Sequence, residues 1–167
     1  MNCNLATITM QHKLLLMASC ALLLVAAGCK EKNKPQEQIT ANIATPVWVA
    51  PADYDMTSSM TAVVRVDLSQ KYAEQLKTVG YAQTADDLLA AFNGNDCLGV
   101  AKQQDGLFYL FITSPATTGE GKVTDFTIRY YSAKLKNIFE SESFAYYDDG
   151  TLGNIGTPCV PVFRIAK

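Results

Sequence analysis

Histidine is almost absent from the chain: His12 is the only one, and it lies ahead of an apolar run that reads as a removable leader. A mature domain without histidine has no Ser-His-Asp or Cys-His nucleophile system. It cannot build a histidine-containing zinc site. It also lacks the side chain most used for proton transfer near neutrality. Basic charge is not in excess either, since 14 Lys and Arg face 16 Asp and Glu for a formal net charge of −2. Phosphate neutralisation needs a basic surface, so no nucleic-acid partner is expected. No apolar run is long enough to span a bilayer as a helix. The longest, residues 14–27, counts 14 residues, against the roughly 20 a membrane helix needs. Nucleotide and hydrolase signatures are missing as well. Gly119-Glu120-Gly121-Lys122 lacks the first glycine and the Ser/Thr of a phosphate loop, Gly150, Gly153 and Gly156 do not fit GxGxxG, and there is no GxSxG.

What is present is apolar matter: 49% of 167 residues are hydrophobic and 18% are charged. That is enough for one packed domain and too much for wholesale disorder.

The apolar run LLLMASCALLLVAA suits the hydrophobic region of a secretory leader, with Lys13 as its positive flank and Met10 as an alternative start. It ends in Val25-Ala26-Ala27-Gly28-Cys29. This resembles a bacterial lipobox, with small residues before an obligatory cysteine and Ala26 where leucine is commonest. The resemblance implies cleavage after Gly28, a diacylglycerol thioether on Cys29 and acylation of the new amino terminus; more than one chain is what makes such an anchor firm. The alternative is an ordinary secretory leader with a cysteine at its end. The following Lys30-Glu31-Lys32-Asn33-Lys34-Pro35 stretch is polar and charged, as a solvated tether should be. Lys30 stands where aspartate would signal inner-membrane retention in enteric bacteria. The expected organisation is a lipoprotein signal at 1–28, a lipid-anchored tether at 29–45, and a domain at 46–167. The expected location is the bacterial cell envelope, anchored in the outer membrane.

Within the domain, β signals dominate. Val47-Trp48-Val49 lies between Pro46 and Pro51 and reads as a short edge strand. Residues 60–66, MTAVVRV, form a β-branched strand. Residues 68–79 are the one helix candidate, with Leu68, Tyr72 and Leu76 on one face and Gly80 as the stop. Residues 88–92 and 97–102 flank Asn93-Gly94, a hairpin signal, and Asp105-Gly106 marks the next turn. In the strand at 107–113 both faces are apolar, which predicts a central strand covered on both sides. Residues 123–133 alternate cleanly: Phe126, Ile128 and Tyr130 inward, Thr127, Arg129 and Tyr131 outward. Short strands at 136–141 and 143–147 and a proline-marked extended tail follow. Seven or eight strands with one short helix predict an all-β, antiparallel sandwich of jelly-roll type.

The stretch Asp87-Leu88-Leu89-Ala90-Ala91-Phe92-Asn93-Gly94-Asn95-Asp96-Cys97-Leu98-Gly99-Val100-Ala101 resembles a motif of Bacteroidota secreted proteins and lipoproteins. There an acidic residue precedes apolar-Ala-Ala-Phe, a glycine-acidic turn, and Cys-Arg-Gly-Val-Ala. Leu98 takes the place of that arginine. The likeness extends over about residues 54–163. It implies a β-sandwich on an envelope or exported protein, with adhesion or glycan handling as its role.

Site candidates are few. Cys97 and Cys159 can form one disulfide or stay as two buried free thiols. The acidic pairs Asp53/Asp55, Asp86/Asp87 and Asp148/Asp149 suit ordinary turns better than glycoside hydrolysis or calcium binding. No catalytic residue, metal site or cofactor is expected. Aromatic faces remain. Tyr131, Arg129 and Thr127 should share one exposed sheet face, and Tyr147 should point out where Tyr146 points in. Trp48 is either a core anchor or a ligand platform. Together these offer stacking rings, a planar cation and a hydroxyl, suited to a sugar or a carboxylate. In the alternative reading, Arg129 merely pairs with an acid of a neighbouring strand. The expectation is a non-catalytic, lipid-anchored protein that binds a glycan or another surface protein. The runner-up is a structural or accessory subunit of an envelope assembly.

Overall fold

A computed structural model describes residues 37–40, 42–50, 52, 54–115 and 123–167. The leader, Cys29, the first part of the tether and most of the loop expected at 114–122 lie outside the described residues.

Ten strands and one helix are formed among the described residues, in two sheets. The smaller sheet contains β1 (Tyr54–Val64), β4 (Lys102–Gln104), β5 (Leu107–Pro115) and β9 (Thr151–Leu152), in the order β4-β5-β1-β9. The larger contains β2 (Leu88–Asn93), β3 (Asp96–Val100), β6 (Asp125–Ser132), β7 (Asn137–Glu140) and β10 (Arg164–Ile165), in the order β10-β7-β6-β2-β3, with β8 (Phe144–Ala145) paired to β6. All pairings are antiparallel except β1 with β9. The fold is the all-β sandwich anticipated from the strand spacing, and the additional strands are short pieces, β4 of three residues and β9 and β10 of two.

The period-2 pattern explains the core. Met60, Ala62 and Val64 of β1 and Phe108, Leu110 and Ile112 of β5 are buried, and they share one cluster with Leu89, Ala91, Ile128, Tyr130 and Phe139 of the other sheet. The Phe108 and Tyr130 rings meet edge-on across the two sheets at 5.9 Å. At β5 the expectation of cover on both faces fails. Its inward residues are buried, whereas Phe111 on the other face is 42% exposed. An antiparallel sheet can leave one face to solvent, and apolar residues alone do not reveal which face that is.

The strand expected over residues 97–102 divides at Ala101. β3 before it belongs to the larger sheet and β4 after it to the smaller, and the Ala101 amide donates to Leu89 O at 2.8 Å at the corner. Gly99 is needed here: a Cβ at this position would collide with the Phe111 carbonyl oxygen, because the inner face of β3 lies directly on the β5 backbone.

The helix α1 (Ser69–Thr78) buries Tyr72 and Leu76, with Leu68 buried at its start. Asp67 accepts the Ser69 amide at 3.0 Å at its N-terminus. At its end Gly80 takes φ +57°, and the Tyr81 and Gly80 amides return to Leu76 O and Lys77 O. That is a Schellman stop of the kind glycine permits. The two turn signals also hold, with one shift. The first hairpin turns on Gly94 and Asn95, since Asn93 pairs with Asp96. Asp105 and Gly106 sit at φ 52° and 77° in the second, the twist that suits a two-residue hairpin.

Residues 42–50 do not form the expected edge strand at Val47-Trp48-Val49. Pro46 removes a donor, and the segment instead runs across the outer face of the larger sheet. From Glu37 onward, the stretch read as tether is held to the domain. Tyr72 donates to Glu37 at 2.8 Å, Gln75 donates to Glu37 O at 2.9 Å and accepts the Ile39 amide at 2.9 Å, and the Ile43 amide donates to Lys136 O at 2.8 Å.

Candidate functional site

Register fixes which side chains share the outer face of the larger sheet. Phe92 stands opposite Thr127, Ala90 opposite Arg129 and Leu88 opposite Tyr131, while Arg129 stands opposite Glu140 on its other side. The alternation read for β6 is therefore right. The exposure read for it is not. Tyr131 is only 2% exposed, because residues 43–45 lie over it; its hydroxyl donates to Ile43 O at 3.3 Å and sits 3.3 Å from Thr45 Oγ1. Tyr131 is thus a packing residue and is removed from the candidate surface.

Arg129 is half-buried and tightly held. Its Nε donates to Glu140 at 2.7 Å, its Nη2 donates to Gly94 O at 2.8 Å, and its guanidinium lies over the Phe92 ring at 4.3 Å. The Gly94 hairpin thereby sets the cation's position. Trp48 reaches the same ring from the strap, edge-on at 5.6 Å, and remains partly exposed. Trp48, Arg129 and Thr127 are therefore brought together around Phe92, with Cys97 paired to Phe92 on the next strand. Tyr147 is not part of this group. It is 66% exposed and precedes the turn whose Asp149 and Gly150 bond to β1. Phe92 and Glu140 are the residues that sequence reasoning did not single out. The pairing of Arg129 with a neighbouring strand's acid is the arrangement observed.

Of the two alternatives for Cys97 and Cys159, the structure has the free thiols and no disulfide between them. Cys97 belongs to β3 of the larger sheet and its thiol points at Gly99 O, 3.8 Å away, whereas Cys159 bridges Val64 of the smaller sheet. Burial pushes both thiols above their usual range, with Glu142 adding to the rise at Cys159. A thiol held protonated is a poor nucleophile.

Among the acidic pairs, Asp87 is buried while Asp86 is exposed. Asp87 accepts four hydrogen bonds, from the Tyr130 hydroxyl at 2.6 Å, the Thr84 amide at 2.9 Å, the Thr84 hydroxyl at 3.0 Å and the Ala133 amide at 2.9 Å. Every oxygen is used, so the carboxylate ties the 81–87 loop to β6 rather than facing a substrate. Among the described residues no three His, Cys, Asp or Glu side chains gather as a metal site would require. No family model matches the chain, and neither a curated protein nor a solved structure matches it.

Proposed function

We propose that the protein is a non-catalytic, lipid-anchored binding protein of the bacterial outer envelope, recognising a glycan or another surface protein. The observation that carries the reading is the group around Phe92. Trp48 offers a partly exposed aromatic face, and Arg129 is locked beside it by Glu140, Gly94 and the Phe92 ring. Side chains already held in place lose little freedom on binding, and an aromatic ring next to a planar donor suits sugar rings and carboxylates. The anchor rests on the lipobox-like sequence ending at Cys29. Two measurements test the two halves. Metabolic labelling with a fatty-acid analogue should mark the wild type and not Cys29→Ser; equal labelling removes the anchor. On a glycan array the detergent-solubilised chain should bind, and Trp48→Ala should lose that binding while keeping its melting temperature within a few degrees. Binding that ignores Trp48→Ala removes the platform.

An accessory role in an envelope assembly is the second reading. Val47 and Val49, 87% and 70% exposed on either side of Trp48, favour it, because adjacent apolar surface suits a protein partner. Cross-linking from a photoreactive residue at Val47, in cells, should then trap one defined protein.

A further inference from the structure

The two ends of β6 differ in charge, and the tether meets only one of them. At the start of the strand the Asp125 carboxylate accepts Asn93 Nδ2 of the β2–β3 hairpin, whose Asp96 pairs with Asn93. The Tyr146 amide donates to Thr124 O beside it, which brings in the turn that carries Asp148 and Asp149. All four aspartates are exposed. Arg129, the cation of β6, is already paired with Glu140. The Phe92 group belongs to this acidic end, since Phe92 stands opposite Thr127, two residues from Asp125.

At the other end β6 turns into β7 through Lys134 and Lys136, both exposed. The last turn of α1 meets this turn, and Ile39, Gln75, Val79, Lys134 and Leu135 line one shallow hollow. β10 runs toward the same end, because the Ala166 amide donates to Ile138 O, and Lys167 follows it, exposed. Of the acids here, Glu37 and Glu74 are paired with Lys71 and Lys77, Asp87 is buried, and Asp86 is exposed. Among the described residues no acid pairs with Lys134, Lys136 or Lys167. Val79 stands among these cations and is 50% exposed. The tether joins the domain at this end, through Glu37 to Tyr72, Ile39 to Gln75 and Ile43 to Lys136 O. From Cys29 to Glu37 the chain has eight residue steps and so reaches at most about 29 Å. Had the domain begun only at Pro46, the reach would be about twice that.

We infer that the domain docks on an anionic phospholipid bilayer, the one its own anchor enters, by the end that carries Val79, Lys134, Lys136 and Lys167, with the Phe92 group turned away from the membrane. This placement rests on the anchored reading above. The short tether keeps that end near the bilayer. Unpaired lysines are drawn to an anionic leaflet, an exposed valine among them suits the interface, and the aspartates at the opposite end are repelled. Trp48 and Arg129 are thereby left free to meet a partner.

The test uses the full chain reconstituted into vesicles of phosphatidylcholine alone, or of phosphatidylcholine and phosphatidylglycerol in equal parts. Each preparation carries a trace of lipid with a nitroxide on its headgroup, which quenches nearby tryptophan. Trp48, the only tryptophan, reports on the far end. A variant with both Trp48→Phe and Val79→Trp moves the reporter to the near end, and it should keep its melting temperature because Val79 is exposed. In the anionic vesicles the near reporter should be quenched at least about threefold more than Trp48, since each lysine at the surface favours contact about fivefold. Adding Lys134→Glu and Lys136→Glu, or raising the salt, should bring near-end quenching down to its level in neutral vesicles. Three results overturn the docking: equal quenching at both ends, near-end quenching as strong in neutral vesicles as in anionic ones, or charge reversal without effect. Flotation with the neutral vesicles reads the anchor separately. A chain that does not float there loses the anchor and the docking with it, whereas one that floats and gives any of the three results loses the docking alone.

Discussion

The Tyr130 hydroxyl donates a 2.6 Å hydrogen bond to Asp87, and both residues are buried. Because that proton is committed, the Tyr81 hydroxyl, 2.8 Å from Tyr130, must be the donor to Tyr130. The result is a directional chain from the loop before β2, through β6, to a carboxylate whose other bonds hold Thr84 and Ala133. Tyr130→Phe removes the central link and leaves the volume nearly unchanged. A hydrogen bond to a charged partner is worth about 1.5–3 kcal/mol, so urea unfolding should show a loss of that size. A loss indistinguishable from zero would mean that the Asp87 bonds to Thr84 and Ala133 suffice alone.

Alkaline pH should weaken the fold through a different tyrosine. Burial, reinforced by its bond to Glu37, pushes the Tyr72 phenol up to about 12. An unfolded tyrosine ionises near ~10. The fold therefore favours the neutral phenol, and this contribution is fully present below ~10 and lost as pH rises to about 12. The carboxyl of Glu37 behaves in the opposite sense. Burial raises it, but the bonds from Tyr72 and Lys71 outweigh that and hold it below its ordinary value. Urea midpoints should fall between pH 10 and 12, and Tyr72→Phe should flatten part of that fall. The part that remains includes Tyr130 and Tyr81, which burial also raises. An unchanged slope in the variant would remove Tyr72 from the account.

Strand periodicity carried the sandwich and the inward set Phe126, Ile128 and Tyr130, because a period of two is a backbone property. It could not carry what covers a face. Tyr131 sits on the outward side as read, yet it is buried by a segment whose partly buried apolar residues, Ile39, Ile43 and Trp48, are spaced with no strand or helix period. Only tertiary contact reveals such a strap. The same holds for Arg129: its residue type was legible as a candidate, but its partner Glu140 comes from strand register. Ala101, where one apparent strand changes sheets, has no local marker either.

The thiols provide a direct check on chain connectivity. Cys97→Ala and Cys159→Ala should each remove one reactive thiol from the denatured, unreduced protein, since both are free. In the native protein the same thiols should react slowly, because burial keeps them protonated. Removal of no thiol by either substitution would show that the pair is oxidised in the isolated protein.

The packing of β3 on β5 makes the last prediction quantitative through a comparison of two glycines. Gly94 sits at φ +57° with open space around it, so Gly94→Ala meets only backbone strain, about 1–2 kcal/mol for a left-handed L-residue. Gly99 has no such φ, but an added methyl would meet the Phe111 carbonyl and then the Ile112 Cα. Those atoms belong to a central strand and cannot swing aside as a flexible side chain would. Moving β3 away would also stretch the 3.1 Å hydrogen bond from the Thr113 hydroxyl to Leu98 O. Overpacking costs about 1–3 kcal/mol where neighbours can adjust, and here the neighbour is backbone. Gly99→Ala should therefore lose more stability than Gly94→Ala, by at least about 1 kcal/mol in denaturant unfolding. Equal losses would mean that β3 can lift from β5 freely, and the tight corner at this side of the sandwich would have to be abandoned.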